Sequence, residues 1–278
     1  MAESSTVAII KIIGNSFYRK TALRATAIIV RRFFFLQLKA ALLPGRVPVT
    51  GVDHALDKKI PFNPGKVEIY LDFLHFFIRI LGFLMRYFKK PSLEVRDFIE
   101  SAGALYNMAA QVYEKNLSTT NRPRYLSKFR FIVIHAFDPH LLCIPSLHVM
   151  MVIRTYTGLR AILKNHGDDG RYKNEIEQAR SHAIAIAEAV LYIKQHSVNC
   201  ISAAMYAMSR YNDLFPQSEA ECFANDLFRN AAGISADDAG EIRTHIITLY
   251  RQFLERGSGS LAWEKPLLDF LASFPVTM

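Results

Sequence analysis

Apolar residues recur every three to four positions along most of the chain, which is the spacing of one face of an α-helix. Convincing alternation of apolar and polar residues, the pattern of a half-buried β-strand, is rare. Proline and glycine cluster between the periodic segments, as expected of connections between helices. The pattern predicts an all-α chain, a multi-helix bundle, with helices near residues 16–43, 67–89, 93–114, 147–165, 173–195, 197–212, 217–230, 236–256 and 263–273.

The longest strongly apolar stretch, Val67 to Phe88, tests whether the chain crosses a membrane, because a span needs about 20 residues nearly free of charge. Polar and charged residues interrupt it at intervals of four, three, four and seven, and this spacing puts them along one side of a helix. The stretch therefore predicts an amphipathic helix and no clear transmembrane span. The residues of this polar stripe are Glu68, Asp72, His75, Arg79 and Arg86.

The first forty residues mix basic side chains with apolar runs such as Arg32 to Leu36. Two interpretations stay open: a basic helix that lies on a membrane surface, or a core helix with a solvated basic face. The apolar run Val7 to Ile10 is too short for a signal-peptide core and is broken by Lys11. We expect a cytoplasmic or peripherally membrane-associated protein.

Composition narrows the class of protein. The chain has 278 residues, of which 51% are hydrophobic and 21% are charged, and this balance excludes a disordered chain. We expect residues 1–278 to form one helical domain. The formal net charge of +9 implies an anionic partner, but no recognised nucleic-acid module fits the sequence. Three cysteines without paired metal spacing, Cys143, Cys200 and Cys222, favour a reducing compartment.

Three segments carry residue types suited to phosphate chemistry. Lys115 is followed, after six residues, by Arg122 and a proline. The second segment is Pro145-Ser146-Leu147-His148, at the predicted start of a helix, and the third is centred on His196. Ser197 can cap a new helix, which would place His196 beside a helix N-terminus, where N–H groups and the helix dipole favour an anion.

These segments resemble the signature of the type 2 phosphatidic acid phosphatase and vanadium haloperoxidase superfamily. That signature is Lys-six residues-Arg-Pro, then Pro-Ser-any-His, then Ser-Arg-five residues-His-three residues-Asp, and the first two parts match in full. The resemblance covers about Glu114 to Ser209. It implies a helical bundle of the acid phosphatase type and a phosphohydrolase or phosphotransferase that acts on a phosphomonoester or a lipid phosphate.

The resemblance also implies a role for each matched residue. Lys115 and Arg122 would hold the phosphate by charge, and the Ser146 hydroxyl and the Leu147 N–H would donate to its oxygens. His196 would be the nucleophile that forms a phosphohistidine, and His148 would serve as general acid and base. The site would need no metal or other cofactor, and vanadate would act as an inhibitor or phosphate mimic.

The third segment departs from the signature in two places. Ala189 and Val190 stand where the family has Ser-Arg, and Cys200 stands where it has the aspartate that orients the nucleophilic histidine. Asn199 could orient the His196 ring in place of that aspartate. Lys194 could replace the lost positive charge. Leu147 favours a lipid substrate, because several lipid-handling branches of the family have leucine there.

Four functional interpretations follow. The first is a phosphatase whose partner is a phosphorylated small molecule or lipid, with peripheral membrane contact. The second is a catalytically degenerate member that binds phosphate or lipid headgroups without turnover. A vanadate-binding oxidase is disfavoured because the second arginine is missing, and an unrelated helical interaction protein is the fourth. A metal site at His135, Asp138 and His140 is disfavoured by their spacing.

Overall fold

The computed structural model of the protein describes residues 4–43, 45–229, 231 and 233–275. It is mostly helical, which confirms the predicted all-α class. The helices are α1 Ser5–Gly14, α2 Ser16–Ile29, α3 Phe35–Leu42, α4 Val67–Phe88, α5 Leu93–Tyr113, α6 Phe129–Phe137, α7 Leu147–Asn165, α8 Lys173–Tyr192, α9 Val198–Tyr211, α10 Gln217–Asp226, α11 Ala236–Gly257 and α12 Lys265–Ala272.

The predicted helices match most of these elements within a few residues, and the differences have local causes. The single helix predicted over 16–43 is α2 and α3, joined by a π-helical turn at Val30–Phe34. α8 ends at Tyr192 because the chain turns there, and Lys194 adopts a left-handed conformation with φ of 57°. α10 ends at Asp226, whereas the predicted end at residue 230 lies outside the described residues.

Two short helices and one strand pair were not predicted. α1 and α6 contain ten and nine residues, and both are apolar on nearly every side, so they show no helical period. The strands β1 Val49–Gly51 and β2 Leu117–Thr119 pair in parallel, with Val49 opposite Leu117. Three residues are too few to show alternation. The Ser118 hydroxyl in β2 accepts a hydrogen bond from the Ile144 N–H at 2.8 Å, which ties the segment before α7 to this small sheet.

The core is built around α7, which packs against α4, α5, α8 and α9. α2 lies along α5, and α11 covers α9. α4 shows the predicted amphipathic pattern, since most of its apolar residues are buried or partly buried and its polar stripe is exposed or partly exposed. Among the described helices, none combines the length and the hydropathy that a membrane crossing requires.

Candidate functional site

A cavity of about 310 Å³ lies beside the N-terminus of α7. Its walls come from the π-helical turn and α3, from α4 and α6, and from the turn between α8 and α9. Most of the lining is apolar. Besides Tyr70, Tyr106 and Cys143, the side chains with polar groups that line it are Gln37, Asp138, His140, His148, Gln195 and His196.

The start of α7 presents unused hydrogen-bonding groups beside this cavity. Ser146 is the N-cap residue, yet its side chain makes no capping hydrogen bond, and its buried Oγ has no partner among the described residues. Leu147 and His148 are the first two helical residues, and both line the cavity. Because the first N–H groups of a helix have no partner within it, they favour an anion.

The turn between α8 and α9 brings His196 to the same cavity. The Val190 carbonyl accepts hydrogen bonds from the N–H groups of Gln195, at 3.0 Å, and His196, at 3.2 Å. Ser197 then caps α9, since its hydroxyl accepts the Asn199 N–H at 3.3 Å. The predicted helix break and cap at Ser197 are therefore confirmed, and the turn holds both Gln195 and His196 against the cavity.

His148 and His196 face each other, with ring centroids 5.7 Å apart, although they are 48 positions apart in the sequence. The His196 ring is 8% exposed, and its Nδ1 has no hydrogen-bond partner among the described residues. Burial lowers the pKa of His196 to about 4, against the opposing effect of a backbone hydrogen bond to Cys143. Burial, and secondarily the proximity of His196, lowers the pKa of His148 well below its usual value. Both rings are therefore neutral at pH 7.

Aromatic rings pack on His148. Its ring lies 4.5 Å from that of Tyr70 and 4.4 Å from that of Phe73, measured between centroids. These two residues of α4 also line the cavity. They desolvate the imidazole, which disfavours its charged form. This contact could not be predicted from the sequence, because the helical period of α4 indicates which face is apolar but not which residues of other helices pack on that face.

Arg122 lies behind the cavity wall and is already paired. Its Nη1 donates to Gln195 Oε1 at 3.1 Å and to Asp138 Oδ2 at 3.4 Å, and its Nη2 donates to the Asp138 carbonyl at 3.0 Å. The side chain is 12% exposed and does not itself line the cavity. Asp138 and Gln195, to which the guanidinium donates, stand between it and the cavity. The Gln195 Nε2 is buried without a partner among the described residues.

Lys115 is not brought to the cavity. Its ammonium donates to Glu264 Oε1 at 2.8 Å, and its side chain is 54% exposed. It pairs with this carboxylate because Glu264, just before α12, lies beside the end of α5. The structure thus separates Lys115 from Ser146, His148 and His196, contrary to the expectation that these residues share one pocket.

The two residues expected to orient His196 have other partners. Asn199 donates through Nδ2 to the Val52 carbonyl at 3.1 Å, and its Oδ1 lies 2.8 Å from His245 Nε2. Cys200 accepts the Ser197 N–H through its sulfur at 3.4 Å and is fully buried. Neither forms a hydrogen bond with the His196 ring among the described contacts. Lys194 does not supply the charge of the missing arginine, because its ammonium donates to the carbonyls of Asp57 and Ile60.

His140 and Asp138 belong to the cavity, and sequence reasoning had considered them only as metal ligands. His140 Nε2 and Thr120 Oγ1 share a hydrogen bond of 2.7 Å, and burial lowers the pKa of His140 to about 3. Burial raises the pKa of Asp138. Asp138 and His140 lie in the sequence between Arg122 and Pro145, that is, between two segments already assigned to the site, and this position could have indicated that they belong to the cavity. Within the described part of the chain, no group of three or more His, Cys, Asp or Glu side chains could hold a metal ion.

Comparison of the chain with protein-family models, with curated proteins and with solved structures finds no match. The chemistry of the cavity is thus inferred from its own residues. Its lining offers two neutral imidazoles, an amide N–H₂ group without a partner among the described residues and a helix N-terminus, and the Ser146 hydroxyl lies directly before the lining residue Leu147. This set suits a ligand with a compact anionic end and an apolar remainder.

Proposed function

We propose that the protein is a phosphohydrolase or phosphotransferase of the type 2 phosphatidic acid phosphatase kind, with a helical bundle of that type, and that His196 carries the phosphoryl group. The observation that supports this most is the meeting of His148 and His196 at 5.7 Å beside the start of α7. The buried Ser146 Oγ and His196 Nδ1 have no partner among the described residues, and a bound phosphate would supply one to each.

The phosphoryl transfer needs one nucleophile and one proton donor. The lone pair of a His196 ring nitrogen attacks phosphorus, so that a P–N bond forms while the bond to the leaving oxygen breaks. The leaving oxygen takes a proton from His148. Since His148 is neutral at rest, that proton arrives with the ester monoanion, whose second pKa is about 6.

The second half of the reaction regenerates the site. Water, or another hydroxyl acceptor, attacks the phosphohistidine while His148 removes its proton, and the P–N bond breaks as the new P–O bond forms. His148 then returns the proton to the departing phosphate. The pKa of about 4 keeps His196 neutral above that pH, so its lone pair is available for the next attack.

Donors around the phosphoryl oxygens come from three places. Ser146 would contribute its hydroxyl, Leu147 its backbone N–H, and Gln195 its side-chain N–H₂ group. Arg122 would polarise Gln195 from behind, since it donates to the amide oxygen of that residue. The site does not depend on a metal in this mechanism, because fixed donors and the α7 N-terminus stabilise the developing charge.

The apolar lining indicates what else the substrate carries. Rings from Phe33, Phe34, Phe73 and Tyr106 surround the cavity together with the side chain of Leu142. A phosphate ester with an alkyl or acyl chain would bury that chain against these walls. A lipid phosphate fits this lining better than a sugar phosphate, whose hydroxyl groups would lose their hydrogen bonds there.

A second candidate function is binding of a phosphate headgroup without turnover. Two observations favour it: within the described residues no carboxylate accepts a hydrogen bond from His196 Nδ1, and Arg122 is neutralised by Asp138. Loss of an orienting carboxylate lowers the rate of a comparable catalytic triad by about 10⁴. In this case the same cavity would bind the ligand and release it unchanged.

Hydrolysis assays separate these two functions. The purified protein is assayed on 4-nitrophenyl phosphate and on a short-chain phosphatidic acid, in chelator, with and without vanadate. We expect chelator-resistant hydrolysis that vanadate inhibits and that His196→Ala abolishes. His75→Ala, an exposed histidine of α4, serves as control and should retain full activity. Activity that survives His196→Ala would contradict the proposal, and vanadate binding without turnover would favour the second function.

A further inference from the structure

Two helices beside the cavity expose large apolar side chains to solvent. On the π-helical turn and α3, Phe34 and Leu38 are more than half exposed, and their spacing puts them on one helix face. On α6, Phe129 is 77% exposed, and Ile132 and Val133 share its face. We call these five residues the apolar rim. Large exposed apolar side chains grouped beside one cavity favour an interaction site.

Two residues of the apolar rim, one from each helix, lie at the opening of the cavity. Phe34 and Val133 are exposed and also line the cavity, so each lies where the cavity meets solvent. Leu38 lies one turn beyond Phe34, and Ile132 is the neighbour of Val133. A molecule that covers the rim therefore also covers the way into the cavity.

Basic side chains lie next to the rim. Arg31, Lys39 and Arg46 are exposed and line one cleft together with Phe35, a neighbour of Phe34. None of the three forms an ion pair within the described part of the chain, whereas Glu114 in the same cleft is already paired with Arg32. The sequence from residue 4 to residue 43 contains seven Lys and Arg residues and no Asp or Glu.

We propose that the apolar rim and the adjacent basic cleft form a docking surface for an anionic phospholipid bilayer. The rim enters the boundary between headgroups and acyl chains, and the three cations remain at the level of the anionic headgroups. An anionic bilayer is favoured as the occupant because the seven cations of residues 4–43, without any Asp or Glu among them, complement a surface of anionic headgroups. Docking does not depend on the chemistry proposed for the cavity.

The position of the rim decides what the cavity can receive. When the rim lies on a bilayer, the cavity opens towards the acyl-chain boundary instead of towards water. An amphiphile could then move from the bilayer into the cavity without exposing its chain to water, which avoids a cost of about 0.8 kcal/mol per CH₂ group.

Co-sedimentation with vesicles tests the docking surface. The full chain is mixed with vesicles of phosphatidylcholine alone and of phosphatidylcholine with phosphatidylserine, and the bound fraction is measured. We expect strong binding only to the vesicles that contain phosphatidylserine. Arg31→Gln/Lys39→Gln/Arg46→Gln should weaken it on the order of a hundredfold. The control, Lys164→Gln/Arg210→Gln/Arg256→Gln, removes the same charge from exposed positions elsewhere and should weaken it far less.

A second pair of variants tests the apolar contribution. Leu38→Gln/Ile132→Gln should weaken binding by about tenfold or more, because two large apolar side chains no longer enter the bilayer. Leu93→Gln/Leu261→Gln changes residues that are more exposed than Leu38 and Ile132 and lie outside the rim, and this variant should bind as the parent protein does. Circular dichroism confirms folding, and neither pair lines the cavity.

Three results would overturn the docking surface. The first is that the parent protein binds neither kind of vesicle, and the second is that test and control variants lose vesicle binding equally. The third is that the protein forms a dimer in the absence of vesicles and that Leu38→Gln/Ile132→Gln dissociates this dimer. Hydrolysis of water-soluble 4-nitrophenyl phosphate is measured in parallel. It should be unchanged in the docking variants, and its absence in all forms would contradict the proposed function while leaving the vesicle result intact.

Discussion

Two walls of the cavity differ in how far their polar groups are satisfied within the protein itself. Behind one wall, Arg122 is bound by Asp138 and Gln195, which line the cavity. On the other, His196 lines the cavity and Ser146 directly precedes the lining residue Leu147; the Ser146 hydroxyl and the His196 Nδ1 are buried and have no partner within the described residues. We call these the arginine wall and the histidine wall. A satisfied cation gains little from an incoming anion, because it must first give up its carboxylate.

The difference indicates where a ligand would be recognised. An unpaired buried donor or acceptor costs about 1–3 kcal/mol, and a ligand that pairs with it recovers that free energy. The histidine wall therefore gains more from a phosphate than the arginine wall does. The predictions below alter one wall at a time, in order of expected effect.

The largest effect is expected from His148→Ala on the histidine wall. It should lower kcat by about 10²–10⁴ on an alkyl phosphate, because the leaving oxygen loses its proton donor. On 4-nitrophenyl phosphate the loss should be much smaller, since that leaving group departs without a proton. Steady-state kinetics on both substrates measure the contrast. Equal losses on the two substrates would mean that His148 is not the general acid.

Asp138→Asn should make Arg122 of the arginine wall available to bind phosphate. The substitution removes the carboxylate that neutralises Arg122 while keeping a side chain that can still accept from the His140 N–H. Phosphate binding, measured by isothermal titration calorimetry, should tighten by about tenfold, or about 1.4 kcal/mol. Asp226→Asn, at the ion pair with Arg180, is the matched control and should leave phosphate affinity unchanged. Weaker binding by Asp138→Asn would contradict the neutralising role of Asp138.

The pH profile reports on the histidine wall without any substitution. His196 has a pKa lowered to about 4, so the neutral nucleophile is lost only as the pH falls through that value. The ester monoanion that carries the proton is lost as the pH rises above about 6. We expect kcat/KM to peak between these limits and to fall about tenfold per pH unit above pH 6. A profile that rises from pH 6 to pH 8 would exclude the monoanion as the source of the proton.

Ser146→Ala should separate binding from stability. The Ser146 Oγ has no partner within the described residues, so its removal should leave the free energy of unfolding unchanged or raise it by up to about 1 kcal/mol. Phosphate affinity should fall several-fold, because one donor to the ligand is lost. In the control, Ser202→Ala, a hydroxyl that donates to the Ile246 carbonyl is lost, so the protein should be destabilised and should bind phosphate normally. The opposite pattern, in which Ser146→Ala destabilises and binds normally, would show that Ser146 is only structural.

Lys115→Gln should have the smallest effect. Because its ammonium pairs with Glu264 at the surface, phosphate affinity should change by less than about twofold. The free energy of unfolding should fall by less than about 1 kcal/mol, because the lysine side chain of this ion pair is 54% exposed. Calorimetry and thermal denaturation measure the two quantities. A tenfold loss of affinity would instead support the family role expected of this lysine.

The two walls also show how much could be predicted from the sequence. The helical period gave the bounds of α4, α5, α7 and α11 closely, and the capping serine located the turn that holds His196. These features depend on local residue patterns. The meeting of His148 and His196 was expected from the family resemblance.

The partners of the polar side chains could not be predicted, since they depend on long-range contacts. Glu264 is 149 residues from Lys115, and His245 is 46 residues from Asn199. Nothing local to either position distinguishes a paired side chain from a free one. The π-helical turn that brings Phe33 and Phe34 to the cavity was missed for a different reason, because one widened turn leaves the apolar pattern almost unchanged.

Detection of the phosphohistidine tests the central role of His196 most directly. The protein is mixed with 4-nitrophenyl phosphate, quenched rapidly under alkaline denaturing conditions that preserve the P–N bond, digested, and analysed by mass spectrometry. We expect a phosphoryl adduct on the peptide that contains His196, formed at the rate of the first turnover and absent from His196→Ala. Turnover without an adduct on His196, or an adduct on another residue, would contradict the mechanism.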